Sequence, residues 1–172
     1  IFSPLHISCL YGQLEIVKFI CEKVICDKNI LSEVAIISCF DHRTSLHLAC
    51  QGGHANVVDY ILSNEELGRK LIDAFDSDYR SPLLIACMNG SLECVKSLFR
   101  FGKIGNLNNN LRKHLPLIDA AACGFIDIVN FLIQQKEINI KVGNSSNMTA
   151  LDAAIIKGHL KIVDILMQNQ SF

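Results

Sequence analysis

The chain has 172 residues, half of them hydrophobic, and a formal net charge of −1 at pH 7. This length predicts a single domain with a buried core. The near-neutral charge gives no reason to expect a nucleic acid partner. The longest apolar runs, such as residues 34–39, are far shorter than the roughly 18–20 residues of a membrane-spanning helix. No signal-peptide pattern and no initiator methionine are present, so we expect a segment of a longer protein.

Five ten-residue blocks recur along the chain, and each ends in glycine. They are SPLHISCLYG (3–12), TSLHLACQGG (44–53), SPLLIACMNG (81–90), LPLIDAAACG (115–124) and TALDAAIIKG (149–158). The starts lie 41, 37, 34 and 34 residues apart, and a valine follows five positions after each glycine. One structural unit is therefore copied five times.

Each block predicts a short first helix. A serine or threonine opens four of the blocks, where its hydroxyl can accept from the free amides of the first turn. Leu115 takes that position in the fourth block, so we expect this helix to begin less firmly. The closing glycine predicts a left-handed residue just past the helix end. All three prolines of the chain occupy the first helical position, where a missing N–H costs nothing: Pro4, Pro82 and Pro116.

A second helix is predicted after each glycine, from LEIVKFI, ANVVDYIL, LECVKSLF, IDIVNFLI and LKIVDILM. These segments are apolar over most of their circumference, so they must be covered on both sides. Stacked neighbouring units provide that cover, which predicts an all-α solenoid of helix–turn–helix units. The last segment is as apolar as the others. We therefore expect Ile162, Val163 and Leu166 to lie uncovered unless further chain or another molecule packs on them.

The unit T-P-L-H-x-A, then glycine, then V-V-x-x-L-L resembles the ankyrin repeat. The best copy is TSLHLACQGGHANVVDYIL (44–62), and the resemblance covers essentially all of residues 1–172. It implies one ankyrin-repeat domain of stacked helix pairs, joined by loop or hairpin fingers. It also implies a non-enzymatic module that binds a protein or peptide on the concave face of fingers and inner helices. The repeats start near Ser3, Thr44, Ser81, Leu115 and Thr149.

Two of the fingers are longer than the unit requires. Cys21–Arg43 carries about eight extra residues and Asn64–Tyr79 about four, relative to the repeat length. The second insert has a cap, early acids and late bases, which are typical of a helix. Long fingers often mark a binding face, and a lengthened second helix or a simple loop is the alternative. The glycine usual two residues before the cap is absent, so we expect irregular finger turns at His42, Tyr79, Lys113 and Asn147.

The spacing Cys39-x2-His42-x4-His47-x2-Cys50 raises the possibility of a zinc site. The resemblance implies that His47 hydrogen-bonds in the turn between repeats. Cys50 occupies a small-residue core position, which Cys9 and Cys87 share in other copies. The two remaining ligands do not make a structural zinc site, so we predict no metal and no cofactor. The same core positions argue against disulfides and favour a reducing, cytoplasmic location.

No catalytic signature is present in the chain, whether a nucleophile elbow, an H-E-x-x-H helix or a phosphate-binding loop, so we predict no enzymatic activity for this segment. Three functions remain open. The first is a protein-binding module. The second is a regulatory or substrate-recruiting domain of a larger membrane enzyme (such as a palmitoyltransferase), a kinase or an ion channel. The third is a structural spacer.

Arginine, methionine and aromatic side chains, which are enriched in interface cores, stand at the finger tips and first-helix ends. Arg43 and Arg80 become neighbours if successive fingers stack. They would then either clamp an acidic peptide or form a salt-bridge network with nearby aspartates. The predicted partner-binding residues are Tyr11, Phe40, Arg43, Gln51, Phe75, Tyr79, Arg80, Met88, Arg112 and His114.

Overall fold

The computed structural model describes residues 3–24, 41–101, 107–108 and 113–170. Its described part contains helices and turns but no strand, and the chain divides into two compact units, Ile1–Ile104 and Gly105–Phe172. The predicted site residues Phe40 and Arg112 lie outside the described residues, as does most of the first insert. A single domain over 1–172 stays a prediction.

Unit 1 contains three copies of the predicted helix pair and one additional helix. The first helices pack side by side, and so do the second helices, which covers their apolar surfaces from both sides. The first helices are α1 (Pro4–Leu10), α3 (Ser45–Gly52) and α6 (Pro82–Met88); the second helices are α2 (Leu14–Phe19), α4 (Ala55–Ser63) and α7 (Leu92–Phe101); the additional helix is α5 (Glu65–Leu71). A π-helical turn, Ile20–Val24, continues α2.

Unit 2 contains the fourth and fifth copies. Its helices are α8 (Pro116–Cys123), α9 (Ile126–Ile133), α10 (Ala150–Lys157) and α11 (Leu160–Gln170). The first helices α8 and α10 pack together, and the second helices α9 and α11 do the same. Each unit is therefore a short stack of helix pairs, which confirms the all-α repeat architecture. None of the described helices is both long and apolar enough to cross a membrane.

The predicted helix ends are confirmed. Each block-closing glycine has a positive φ, between 69° and 83°. Hydroxyl caps begin the helices as expected: the Ser81 Oγ accepts from the Leu84 amide at 3.3 Å. At the fourth copy, where the hydroxyl is missing, the Leu115 amide donates to the Asp119 carboxylate at 2.9 Å. The amides of the first turn thus have no side-chain cap in this copy, and the Asp119 carboxylate holds only the backbone of the residue before the helix.

The second insert forms helix α5, as its pattern predicts. The Asn64 side chain caps it by accepting from the Leu67 amide at 3.1 Å, and Leu67 and Leu71 are buried. Gly68 lets the helix approach the Leu62 backbone, because a Cβ there would lie only 3.1 Å from the Leu62 carbonyl oxygen. Helix α5 and the end of α7 line a groove of about 540 Å³.

The prediction for the last repeat was wrong in part. Ile162 and Leu166 are fully buried, because α11 packs against both α9 and α10. Val163 alone of the three is partly exposed. The strongly exposed apolar side chains of this repeat lie elsewhere: Ile155, Ile156, Leu160 and Met167.

Candidate protein-binding surface

The finger turn that precedes α6 is a regular hydrogen-bonded loop. The Asp76 amide donates to the Arg80 carbonyl at 3.0 Å, and the Tyr79 amide donates to the Asp76 carbonyl at 2.9 Å. The Asp76 Oδ1 accepts from the amides of Asp78 and Arg80 at 3.0 and 2.8 Å. Tyr79 has a φ of 60°, so a large aromatic residue occupies the left-handed position.

The turn before α10 repeats this pattern. The Asn144 amide donates to the Met148 carbonyl at 3.0 Å, and the Asn147 amide donates to the Asn144 carbonyl at 2.8 Å. The Asn144 Oδ1 accepts from the amides of Ser146 and Met148. The expectation of irregular turns was therefore wrong at Tyr79 and Asn147. Four hydrogen bonds hold each turn, which offsets the cost of a left-handed residue that is not glycine.

Charged side chains of two successive fingers meet at Asp76. We call Asp41, Arg43, Asp76, Asp78 and Arg80 the finger cluster. The Arg80 Nε lies 2.8 Å from the Asp76 Oδ2, and its Nη2 lies 2.6 Å from the Asp78 Oδ2. The Arg43 Nε lies 3.0 Å from the Asp41 Oδ2 and 3.7 Å from the Asp76 Oδ2. The two arginines are therefore neighbours, as predicted.

The finger cluster is tied to helix α3 by two further contacts. The Arg43 Nη1 donates to the Gln51 Oε1 at 2.9 Å, and the His47 Nε2 donates to the Arg80 carbonyl at 3.0 Å. The His47 Nδ1 accepts from the Thr44 amide at 3.2 Å, so both ring nitrogen atoms are occupied. Burial lowers the pKa of His47 and so favours the neutral ring. His47 therefore joins repeats, as the resemblance implied.

The structure brings four predicted site residues together: Arg43, Gln51, Arg80 and Tyr79. Tyr79 is 74% exposed, and Tyr11, at the end of α1, is 66% exposed. Phe75 and Met88 are half-buried in unit 1. His114 belongs to unit 2, where its Nδ1 lies 2.9 Å from the Asp119 Oδ1.

The charges of the finger cluster favour a salt-bridge network over an acidic-peptide clamp as the role of its two arginines. Two guanidinium groups face three carboxylates, which gives a formal charge of 2 − 3 = −1. Both arginines already have carboxylate partners, so a salt-bridge network is supported. Capture of an acidic peptide would require those carboxylates to be displaced, and it stays a prediction.

Sequence reasoning did not identify the residues that organise the turns. The sequence pattern predicted the nearby aspartates, Asp76 among them, only as neutralising charges, and it gave no role to Asn144. The signal was available, because an acidic or amide residue stands five positions before the capping residue in both copies. Such side chains commonly accept hydrogen bonds from amides two residues onward.

A comparison with family models decides the identity of the repeat. The model described as ankyrin repeats (3 copies) matches residues 2–70, 64–142 and 83–172. The chain belongs to the ankyrin-repeat family. Ankyrin repeats are generally protein-interaction modules without catalytic activity, so the role of a protein-binding module is shown at the level of the family.

Three relatives carry similar ankyrin segments. The transient receptor potential cation channel subfamily A member 1 of Drosophila melanogaster is 32% identical over 58% of this chain. Alpha-latrocrustotoxin-Lt1a of Latrodectus tredecimguttatus is 28% identical over 96% of it. The serine/threonine-protein kinase TNNI3K of Mus musculus is 30% identical over 52% of it. The matched segments span only 8%, 12% and 11% of these three proteins.

Proposed function

We propose that this chain binds a protein or peptide partner on the surface formed by the finger turns and first helices of unit 1. The observation that carries the proposal is Tyr79, which is 74% exposed yet stands on a turn closed by four hydrogen bonds. Because the turn holds the Tyr79 backbone, only the two side-chain torsions are ordered on binding, so the residue is well suited to anchor a partner.

Neighbouring first helices extend this surface. Tyr11, Gln51 and Met88 stand at the C-terminal ends of α1, α3 and α6. These helices pack side by side, α1 on α3 and α3 on α6, so the three residues stand at the same end of neighbouring helices. The hydrogen bond from Arg43 to Gln51 connects these helix ends to the finger cluster. Tyrosine, methionine and a hydrogen-bonding amide together suit a peptide with both apolar and polar side chains.

The arginines support the surface in this proposal. Arg43 and Arg80 bind the buried Asp76 carboxylate from two successive fingers, and so hold the fingers in register. Replacing both with alanine should destabilise unit 1 and weaken partner binding in parallel. If binding is lost while the thermal midpoint stays unchanged, the arginines contact the partner directly, as the acidic-peptide alternative requires.

The test of the proposed surface is a selection of displayed random peptides on the immobilised chain, followed by calorimetry with the selected peptides. Tyr79→Ala keeps a non-glycine residue in the turn and should weaken binding about thirtyfold, since a hot-spot truncation costs about 2 kcal/mol. Phe101→Ala is the matched control, because it removes an exposed aromatic residue at the end of α7, outside the finger turns and first helices of the proposed surface. Equal affinities of the selected peptides for both variants would refute the surface.

A second candidate function is a regulatory or substrate-recruiting domain within a larger protein. Relatives named as a cation channel and as a protein kinase support it. The sequence of the complete transcript tests it, because membrane-spanning segments or kinase motifs beside the repeats are then expected. We also propose a reducing intracellular location, which the free thiols support: each described cysteine is unbridged, and four are fully buried.

A further inference from the structure

The charged side chains of the finger cluster form a row in which negative and positive groups alternate. The Arg43 Nε contacts the Asp41 Oδ2 at 3.0 Å and the Asp76 Oδ2 at 3.7 Å. The Arg80 guanidinium contacts the same Asp76 oxygen at 2.8 Å and the Asp78 Oδ2 at 2.6 Å. Each arginine therefore has two carboxylate partners, and the row begins and ends on a carboxylate.

The two ends of this row are its most exposed parts. The exposed fraction of the side chain is 65% for Asp78 and 39% for Asp41, against 18% for Arg80, 21% for Arg43 and 0% for Asp76. A partner that approaches the fingers therefore meets carboxylate groups before guanidinium groups. The exposed charge is negative, which agrees in sign with the net charge of the cluster.

The Asp78 end of the row is prepared to accept one more cation. Among the described residues, the Asp78 carboxylate pairs with Arg80 alone. Arg80 is itself bound to the buried Asp76 carboxylate, so the Asp78 side chain is positioned before a partner arrives. A group that is already positioned loses less conformational entropy when it binds a ligand.

An exposed aromatic ring stands next to this carboxylate. Tyr79 directly follows Asp78 on the turn and is 74% exposed. The face of an aromatic ring attracts an ammonium or guanidinium group within about 6 Å of the ring centre, and a carboxylate attracts the same charge. Consecutive residues of one rigid turn thus provide two different groups that both favour a cationic side chain.

We propose that the partner presents a lysine or arginine side chain to Asp78 and Tyr79, where its positive charge extends the alternating row by one position. This basic residue belongs to the partner proposed above, so the assignment rests on the proposed function. An acidic peptide is the competing alternative. It would have to displace the carboxylates that hold Arg43 and Arg80, whereas a basic side chain leaves every ion pair of the cluster in place.

The peptides selected on the immobilised wild-type chain are the probe. They should be enriched in lysine or arginine at one position, relative to the unselected library. Replacing that residue with glutamine should weaken binding to the wild-type chain about five- to tenfold, since the new ion pair is partly exposed but positioned in advance. Asp78→Asn keeps the size of the side chain and an acceptor for Arg80. This variant should bind the basic peptide and its glutamine counterpart about equally.

Two further variants sharpen the test. Asp127→Asn removes one negative charge from the exposed surface of α9 in unit 2, and it should retain the preference for the basic peptide. Asp78→Lys reverses the charge at the end of the row, so a new selection on this variant should enrich aspartate and glutamate. Thermal unfolding establishes that each variant folds, and Asp78→Ser replaces Asp78→Asn if the latter does not.

The results that would overturn the proposal separate it from the proposed surface. Selected peptides without enrichment in lysine or arginine, which nevertheless lose affinity for Tyr79→Ala, would refute the basic partner and retain the surface. An equal effect of the glutamine replacement on wild type and Asp78→Asn would do the same, because the basic residue would then bind elsewhere. Peptides that bind Tyr79→Ala as tightly as wild type would refute the surface and the basic partner together, as would a selection without any binder.

Discussion

The turns Asp76–Arg80 and Asn144–Met148 have the same backbone but different electrostatics. In each, the side-chain oxygen of the first residue accepts from two amides of the turn. In each, the other side-chain atom faces the preceding finger of the same unit. The Asp76 Oδ2 lies 3.7 Å from the Arg43 Nε, whereas the Asn144 Nδ2 donates to the Lys113 carbonyl at 2.9 Å.

The comparison separates two properties of a finger. One buried acceptor oxygen is sufficient to form the turn, because an amide and a carboxylate both provide it. The charge on that residue decides which groups of the neighbouring finger it binds. Asp76 holds two arginines within unit 1, while Asn144 joins fingers by a neutral hydrogen bond. The same turn geometry thus carries a charged cluster in unit 1 and a neutral hydrogen bond in unit 2.

The largest effect is expected from removing the shared acceptor. Asp76→Ala leaves two turn amides without their acceptor and removes the buried carboxylate that both guanidinium groups share, while Asp41 and Asp78 still pair with them, so we expect a loss of about 3 kcal/mol. This is the low end of the range for a broken buried pair, because both arginines retain some exposure to solvent. Asn144→Ala should cost about 1–2 kcal/mol, as it removes only neutral hydrogen bonds. Urea denaturation measures both, and equal losses would contradict the distinction.

Exchanging the two side chains sharpens the comparison. Asn144→Asp places a buried carboxylate where no arginine neutralises it and removes the donor to Lys113, so we expect a loss of about 2 kcal/mol at pH 7. The loss should shrink at pH 4, as the new carboxyl group is protonated. Asp76→Asn keeps the turn and should cost less than Asp76→Ala. A pH-independent loss for Asn144→Asp would show that the lost donor, and not the charge, is responsible.

The left-handed residues of the turns predict a smaller, opposite effect. Tyr79→Gly relieves the strain of a bulky residue at a φ of 60° and should stabilise the chain by up to about 1 kcal/mol. Asn147→Gly should change stability little, since asparagine tolerates this conformation. Thermal unfolding gives both values. Tyr79→Gly should also weaken binding of the selected peptides, so a variant that is more stable but binds less would separate strain from function.

The smallest effect concerns pH. Burial lowers the pKa of His47 from 6.5, so its contribution to stability is present above about pH 6.5 and is lost as the pH falls through 6.5 toward the folded pKa. Burial acts in the same direction on the pKa of His6, also in unit 1. The hydrogen bonds from Thr149 lower the pKa of Asp152, the equivalent residue of unit 2, from 3.8. The stability that Asp152 contributes is therefore lost only below about pH 3.8.

Between pH 7.5 and 5, unit 1 should therefore lose stability while the cap of unit 2 does not. Amide hydrogen exchange at the two pH values, corrected for intrinsic rates, measures each unit separately. His47→Gln should reduce the loss in unit 1, with the remainder assigned to His6. A larger loss in unit 2 than in unit 1 would contradict the two pKa directions.

The spacing of residue types within each repeat was sufficient to predict the helices, their hydroxyl caps and the glycines that end them. Each of these depends on residues within about ten positions, so the repeat could be recognised from Ser81, Pro82 and Gly90 in one copy. The helix of the second insert was predictable for the same reason, since Asn64 caps it locally.

Only the tertiary structure decided which residues of neighbouring repeats the fingers contact. His47 reaches the Arg80 carbonyl across 33 residues, and Asn144 reaches the Lys113 carbonyl across 31. The residue pattern of one repeat does not predict such partners, because the contact exists only after two repeats have stacked. The same holds for Ile16 and Ile155, which stand at positions that are buried in the other copies, because their exposure depends on what packs beside them.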